Sequence, residues 1–337
     1  MKSSEKLDRS VVCVTGGTGF IGGHLVDALL ERGCEVRILV RPTSSLQYLQ
    51  TRGIRVFTGD LNASELPAKW LDGADYLFHC AGLTIAKTRA EFFRCNAYAC
   101  ESLYRSAVDL AGKTLRAVVH LSSLASVGPA ETGQTVDEST ACRPVTHYGQ
   151  SKLAGEKIAL KFASELPMVT LRPPVVYGPR EKNFFEYLKQ LARGWQIQIG
   201  AGQRYLSLIH STDLVRAMIV AAENPLAGGG QTFFVTDGGN YSWDDVAGQA
   251  LSVLNQTARK IIIPESAMTG LALLLEAVHV FRDSAPLLDR QRMIDIRQSV
   301  WTASSEKFFE TFQFHPMYDL KDGLENTFAW HLQQRWL

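Results

Sequence analysis

Residues 10–22 read Ser-Val-Val-Cys-Val-Thr-Gly-Gly-Thr-Gly-Phe-Ile-Gly, and this stretch constrains the fold more than any other. Val11, Val12 and Val14 form the short β-branched run of a buried parallel strand. Gly16, Gly19 and Gly22 follow at Gly-x-x-Gly-x-x-Gly spacing, and a helical pattern (Phe20, Ile21, Leu25, Val26, Leu29, Leu30) begins inside them. Strand, glycine turn and helix together let backbone N–H groups and a helix N-terminus meet a pyrophosphate. A Cβ would obstruct both the tight turn and the close approach. The stretch predicts a dinucleotide site on a doubly wound parallel α/β sheet.

The chain continues that alternation. Gly33 ends the first helix, and Glu35–Val40 reads as a second strand. The tip of this strand reaches the adenosine ribose about 20 residues past the glycines. Arg41 stands there with Thr43, Ser44 and Ser45 behind it, donors that suit a 2′-phosphate, so NADP is favoured and NAD is the alternative. Strands are predicted at Ile54–Phe57, Tyr76–His79, Leu115–Leu121 and Val169–Leu171. Asp60, just past the third strand, can accept from an adenine amino group or cap the turn at Asn62, Ala63 and Ser64. A long helix over about Arg89–Ala111 carries Asn96, residues 129–145 read as a surface loop, and another helix opens near Thr146. After Tyr177-Gly-Pro-Arg180 the strict alternation loosens. Strands at Tyr205–Ile209 and Gln231–Thr236 flank a helix over Thr212–Glu223, and further helices follow Trp243 and Ala267 and close the chain over Leu320–Leu337. This places a nucleotide-binding domain over 1–178, with parts of 205–238 returning to it, and a smaller C-terminal α/β substrate lobe over 179–337.

Thirty-five basic residues against 34 acidic ones, with no basic block, argue against a nucleic-acid surface. The six cysteines show neither a CxxC pair nor metal-ligand spacing, so no metal is expected and buried thiols in a reducing cytoplasm fit. The polar run Met1–Arg9 lacks the apolar core of a signal peptide. Ala267–Phe281 is the longest apolar stretch, yet it is too short to span a bilayer and carries Glu276 and His279. It reads first as a buried or substrate-covering helix and second as a membrane-surface contact.

Tyr148-Gly-Gln-Ser-Lys152 puts a phenol and an ammonium one helical turn apart on the same face. An ammonium there favours phenolate and lowers the tyrosine pKa, and it can also reach ribose hydroxyls. Ser123, at the tip of the fifth strand, can hydrogen-bond a substrate oxygen, with Ser122 as the fallback. Asn96 can anchor a water or a backbone link behind Lys152.

These residues make the chain resemble the extended short-chain dehydrogenase/reductase family, also called the NAD-dependent epimerase/dehydratase family. The matching stretches are Thr15–Gly22, Gly59–Leu61, His79–Gly82, His120–Ser123, Tyr148–Lys152, Leu171–Pro174 with Tyr177–Pro179, and His210–Asp213. The resemblance implies a Rossmann-type fold and a catalytic trio of Ser123, Tyr148 and Lys152, with Asn96 a fourth member. It places the cofactor along Gly16, Gly19, Phe20, Ile21, Gly22, Asp60, Leu61, Ala81, Ser122, Tyr148, Lys152 and Pro174, with Arg41 added from its position. It also implies a small-molecule substrate and a homodimer through the helices near 89–111 and 146–164.

Departures from the family pattern narrow the substrate. Leu124-Ala125 stand where sugar-nucleotide dehydratases carry an Asp-Glu pair, so water elimination loses its second acid and base. Val175 and Leu206 replace the Asn and Arg of sugar-nucleotide epimerases, although Arg204, two residues away on the same strand face, can substitute. Arg172–Pro179 looks more like the branch holding 3β-hydroxysteroid dehydrogenases and dihydroflavonol-type reductases. The leading expectation is an NAD(P)-dependent oxidoreductase acting on a hydroxyl or ketone of a fairly apolar small molecule. A nucleotide-sugar epimerase is the alternative, and a non-catalytic cofactor sensor or assembly subunit the second.

Overall fold

A computed structural model of the protein describes residues 7–46, 49, 53–63, 65–279, 286 and 288–336. Ser64, Val280, Phe281, Leu337 and most of the polar N-terminus, all read above, lie outside the described residues. In chain order the first half runs β1 (Val11–Thr15), α1 (Phe20–Glu31), β2 (Glu35–Val40), β3 (Ile54–Thr58), α2 (Ala68–Leu71), β4 (Tyr76–His79), α3 (Arg89–Phe93), α4 (Ala99–Ala111), β5 (Ala117–Leu121), α5 (His147–Lys161) and β6 (Met168–Arg172). It continues through β7 (Val175–Tyr177), α6 (Asn183–Ala192), β8 (Trp195–Ile199), β9 (Tyr205–His210), α7 (Ser211–Glu223), α8 (Pro225–Gly228), β10 (Thr232–Phe234), β11 (Asn240–Ser242) and α9 (Trp243–Leu254). The remainder is β12 (Arg259–Ile263), α10 (Glu265–His279), α11 (Arg290–Arg297), β13 (Val300–Trp301), α12 (Glu306–Phe312) and α13 (Leu320–Gln333).

Seven parallel strands form the main sheet in the order β10-β6-β5-β4-β1-β2-β3. This is a Rossmann-type doubly wound fold, and the strand order reverses between β1 and β4, where such sheets bind ligands at their carboxyl edge. Period-two alternation decides which helices cover each face. Val12, Val14, Ile38, Phe78 and Val119 pack with Leu25 and Leu29 of α1 and with Leu214 and Met218 of α7. Cys13, Leu39, Leu77 and Val118 point the other way, onto Leu103, Tyr104 and Ala107 of α4 and Ala159 of α5.

The C-terminal part returns to this sheet before leaving it. β10 pairs with β6 at the sheet edge, and Phe308 and Phe312 of α12 pack beside Phe233. A second sheet of β7, β9, β11 and β13 is covered by α6, α9 and α13. The His210–Asp213 stretch ties the two sheets together. The buried Asp213 carboxylate accepts from the N–H groups of Met317 and Tyr318, while the Tyr318 ring lies 4.2 Å from that of His210.

Three expectations need correction. The helix over 89–111 is not uniform, because Arg94–Tyr98 forms one π-helical turn between α3 and α4, at Asn96. The loop 129–145 is not wholly at the surface: Val136 is buried and bridges Ala303. The stretch from 267 is not a buried helix, since only Ala272 within α10 is buried. Its carboxylates face arginines on the protein side, which turns its leucines outward.

Burial pushes the imidazole of His79 down to about 3 and that of His210 to about 4. Both titrate near 6.5 in an unfolded chain. Between those values the unfolded state binds more protons, so stability is retained above about pH 6.5 and is lost as pH falls, by about 1.4 kcal/mol per pH unit per histidine. The expected result is a melting temperature that drops steadily between about pH 7 and about pH 5; a flat profile would contradict it.

Candidate active site

The glycine turn sits at the strand-order reversal, and steric contact explains its composition. Gly16 has φ of 71°, and a Cβ there would come within 2.6 Å of the Ala81 backbone nitrogen at the tip of β4. A Cβ on Gly22 would collide with the Gly16 carbonyl. Gly19 is the N-cap of α1 and supplies no side-chain cap, so the first N–H groups of that helix remain available to an anion. Half-buried Phe20 and Ile21 form the first turn. This cradle, open only because no Cβ fills it, fits a pyrophosphate.

Arg41 is exposed at the tip of β2, where its backbone N–H donates to Ser44 Oγ at 3.2 Å. Asp60 Oδ1 accepts from the Asn62 backbone and side chain at 2.9 and 3.0 Å, capping the turn. Those bonds, with smaller help from Arg41 and Arg94, hold its carboxyl below the ordinary range. Leu61, the next residue, packs against the core under α4.

Helix α5 is started by Thr146, whose hydroxyl accepts from the Gly149 N–H at 3.1 Å. Two of its residues let it press onto its neighbours. A Cβ on Gly149 would strike the Ala125 carbonyl, and one on Gly155 would strike the Asn96 carbonyl. The π turn bulges the Asn96 backbone toward that second glycine. Lys152, between the two contacts, is buried and donates from Nζ to the Leu121 carbonyl at 2.7 Å. Burial lowers its pKa.

Tyr148 lies one turn earlier, beside Ser123 at the end of β5. Burial raises its pKa, and a hydrogen bond with Ser123 offsets only part of this. The expected lowering by Lys152 is therefore absent in this state, because the ammonium is turned to Leu121 and desolvation governs. Asn96 is also committed: its amide bridges the Leu83 backbone N–H (2.7 Å) and C=O (2.9 Å) and donates to Ser151 Oγ at 2.9 Å. It clamps the loop after β4 to α5, the backbone link of the two roles expected for it.

Ser122 does not offer its hydroxyl to the cleft. It donates to Glu156 of α5, which also accepts from Ser126 Oγ at 2.7 Å and pairs with Arg172 of β6 at 2.6 Å. This buried network pins the loop 122–126 that carries Ser123. Pro174, half-buried, lies just beyond Arg172, and the Leu124 N–H donates to the Pro173 carbonyl at 2.8 Å.

Behind Lys152, His79, Cys100 and His120 bring one nitrogen or sulfur each within 4.8 Å of one another. Cys100 Sγ contacts His79 Nε2 at 3.3 Å, and His79 Nδ1 contacts Thr15 Oγ1 at 2.7 Å. Burial keeps both imidazoles neutral, with the Lys152 charge a further cause, and a cation would face that ammonium. The cluster behaves as a packed polar layer beneath the lysine.

Two neighbours of Tyr148 escaped sequence reasoning. Arg292 and Asp295 of α11 line the same cavity as Tyr148, Ile85 and Phe92, and burial raises the Asp295 pKa. They arrive from 144 residues or more down the chain, and no spacing rule links them to the tyrosine. The diphosphate substitute is also resolved: Arg204 pairs with Glu265 at 2.6 Å and donates to the Ile199 carbonyl, while Leu206 is buried.

The contact at Gly155 is testable. Gly155→Val is expected to push α5 off the Asn96 carbonyl, lowering the melting temperature by several degrees and weakening dinucleotide binding at least about tenfold. Calorimetric titration of the folded variant with unchanged affinity would contradict this.

Residues 12–235 match the family model described as the NAD dependent epimerase/dehydratase family. The chain is similar to a ceramide reductase of Caulobacter vibrioides, 26% identical over 329 residues that cover 98% of this chain and 96% of that protein. It is similar to a 4-hydroxy-2-methyl-3-oxo-4-farnesyl-3,4-dihydroquinoline-1-oxide ketoreductase of Stigmatella aurantiaca, 34% identical over 230 residues, 67% of each chain. Among solved structures, MoeE5 in complex with UDP-glucuronic acid and NAD has a TM-score of 0.75 at 26% identity, covering 97% of this chain and 100% of that one. With the matched region running from β1 through the last strand of the main sheet, the chain belongs to the NAD-dependent epimerase/dehydratase family.

Proposed function

We propose that this protein is an NADP(H)-dependent oxidoreductase that interconverts a ketone and a secondary alcohol on a fairly apolar small molecule. The observation that carries the substrate class is Arg204, whose guanidinium is held by Glu265 and the Ile199 carbonyl and so is not free to bind a sugar nucleotide's diphosphate. Exposed Val175 and buried Leu206 supply no polar substitute. The names of two relatives, a ceramide reductase and a farnesyl-bearing quinoline-oxide ketoreductase, support an apolar substrate.

The chain's own residues divide the work. The glycine turn and the start of α1 receive the pyrophosphate, and Arg41 with Ser44 receives a 2′-phosphate. When bound, the nicotinamide supplies or accepts hydride at C4. Tyr148, kept protonated by burial, gives its proton to the carbonyl oxygen in the reducing direction and takes it back in the other. Ser123 holds that oxygen in line with the phenol. Lys152 reaches the ribose hydroxyls and, when turned toward Tyr148, favours the phenolate needed for oxidation. Residues 179–337, apart from α7, β10 and α12, which pack with the main sheet, form the substrate lobe, and α11 brings Arg292 and Asp295 to the substrate side of the tyrosine.

The six cysteines are free thiols, which suits a cytoplasmic setting. Tyr98, Leu110 and Leu160 expose apolar surface on the helices expected to pair in a homodimer. A second reading, epimerisation of a sugar nucleotide with the same tyrosine, draws on the likeness to MoeE5.

Tyr148→Phe is expected to lower kcat about 10²–10⁴-fold while NADP⁺ binding persists. Turnover of an apolar ketone, followed as loss of NADPH absorbance, checks this; undiminished kcat would remove the tyrosine from the chemistry. Arg41→Glu is expected to weaken NADP⁺ binding at least about tenfold and leave NAD⁺ binding largely unchanged. Equal calorimetric affinities in wild type and variant would overturn the 2′-phosphate assignment.

A further inference from the structure

Helix α10 is amphipathic in reverse. Its carboxylates and its threonine have arginine partners on the arc away from the leucines: Glu265 meets Arg204 at 2.6 Å, Thr269 accepts from Arg297 at 2.8 Å, and Glu276 accepts from Arg290 Nε at 2.8 Å. Its water-facing side is Leu271, Leu273, Leu274 and Val278 on a background of alanine, glycine and one serine at 266, 267, 270 and 277. These positions fill one continuous arc of about 160° at 100° per residue, and no charge interrupts it. Leu274 is 61% exposed and Leu273 48%. Isolated exposed leucines are ordinary, but an uncharged apolar face of this extent marks a docking surface.

The strand that feeds the helix extends the same chemistry. Ile261 of β12 is exposed on the same face of the strand as Arg259, and parallel pairing with β8 sets Arg259 beside exposed Trp195. Arg193 and Arg259 are exposed at that end of the ribbon, while Lys260 is paired with Asp244 at 2.6 Å. Apolar side chains next to a tryptophan and two exposed arginines match an anionic lipid interface, where the ring and leucines enter the headgroup boundary and the guanidinium groups meet phosphates. Among the described residues no helix is long and apolar enough to cross a membrane. The described 15 residues of α10 are about 22 Å long, short of a hydrocarbon core about 30 Å thick.

We propose that α10 and β12 dock this protein on the surface of an anionic phospholipid bilayer. α10 is joined to α11 by Glu276 with Arg290 and by Thr269 with Arg297, and Arg292 and Asp295 of α11 line the Tyr148 cavity. The docking itself depends on no particular substrate or cofactor, so its test stands apart from the catalytic reading.

The experiment is co-sedimentation of the full chain with vesicles of phosphatidylcholine, with and without phosphatidylglycerol. The wild type is expected to sediment with the anionic vesicles and to be released by high salt. The double substitution Leu271→Asp with Leu274→Asp is expected to reduce vesicle binding at least about tenfold, with melting temperature and NADP⁺ binding unchanged because both sites face water. Arg193→Glu with Arg259→Glu is expected to abolish the preference for phosphatidylglycerol. Wild type that stays in solution with both vesicle types would overturn the proposal, as would a leucine variant that binds like wild type. So would sedimentation velocity showing a wild-type dimer that this variant dissociates, since a second copy would then be what covers the face.

Discussion

Two missing side chains set the position of the helix on which the site depends. α5 meets the Ala125 carbonyl at Gly149 and the Asn96 carbonyl at Gly155, at separations a Cβ would forbid. Tyr148 and Lys152 ride between and beside these contacts. They are thereby pressed against the ends of β4 and β5, next to the strand-order reversal. The π turn at Arg94–Tyr98 is the matching adjustment on the other helix, since it offers the Asn96 carbonyl to Gly155 and frees the Asn96 amide to grip the loop at Leu83. Local irregularity at a functional site is common for π turns.

A buried ionic network holds the third member of the site. Glu156 gathers Ser122, Ser126 and Arg172, so the loop bearing Ser123 is fixed from beneath by α5 and β6 together. Such a network is weak support for stability, because desolvating the charges offsets much of their attraction, but it specifies one geometry. The same low-polarity setting explains the proton chemistry. Burial raises the Tyr148 pKa, which keeps the phenol protonated, and lowers that of Lys152, which makes its ammonium less favourable.

Local signals made the cofactor half legible. The glycine spacing, the β-branched runs and the Tyr-x-x-x-Lys pair act over a few residues, and β1, α1, β2 and β4 fall where those patterns place them. What escaped was non-local. Arg292 and Asp295 reach the Tyr148 cavity only through the path of the C-terminal chain, and Arg204 looked available until Glu265, 61 residues later, occupied it. α10 misled for a related reason. Its hydropathy reads as a buried helix, yet its few charges have arginine partners on the protein side, and partners cannot be seen from one segment. Ser122 and Ser123 are adjacent and alike in sequence, and only the position of Glu156 separates the structural hydroxyl from the one beside the tyrosine.

Net hydride transfer to an apolar carbonyl at Tyr148 is the step that the proposed function requires. The most direct measurement uses NADPH deuterated at nicotinamide C4 with a panel of long-chain ketones, followed by mass spectrometry of the alcohols formed. The account predicts one deuterium on the carbinol carbon of a product, with one NADP⁺ formed per alcohol. Deuterium that never leaves the cofactor, together with inversion of a sugar nucleotide by bound and unconsumed NAD⁺, would contradict it.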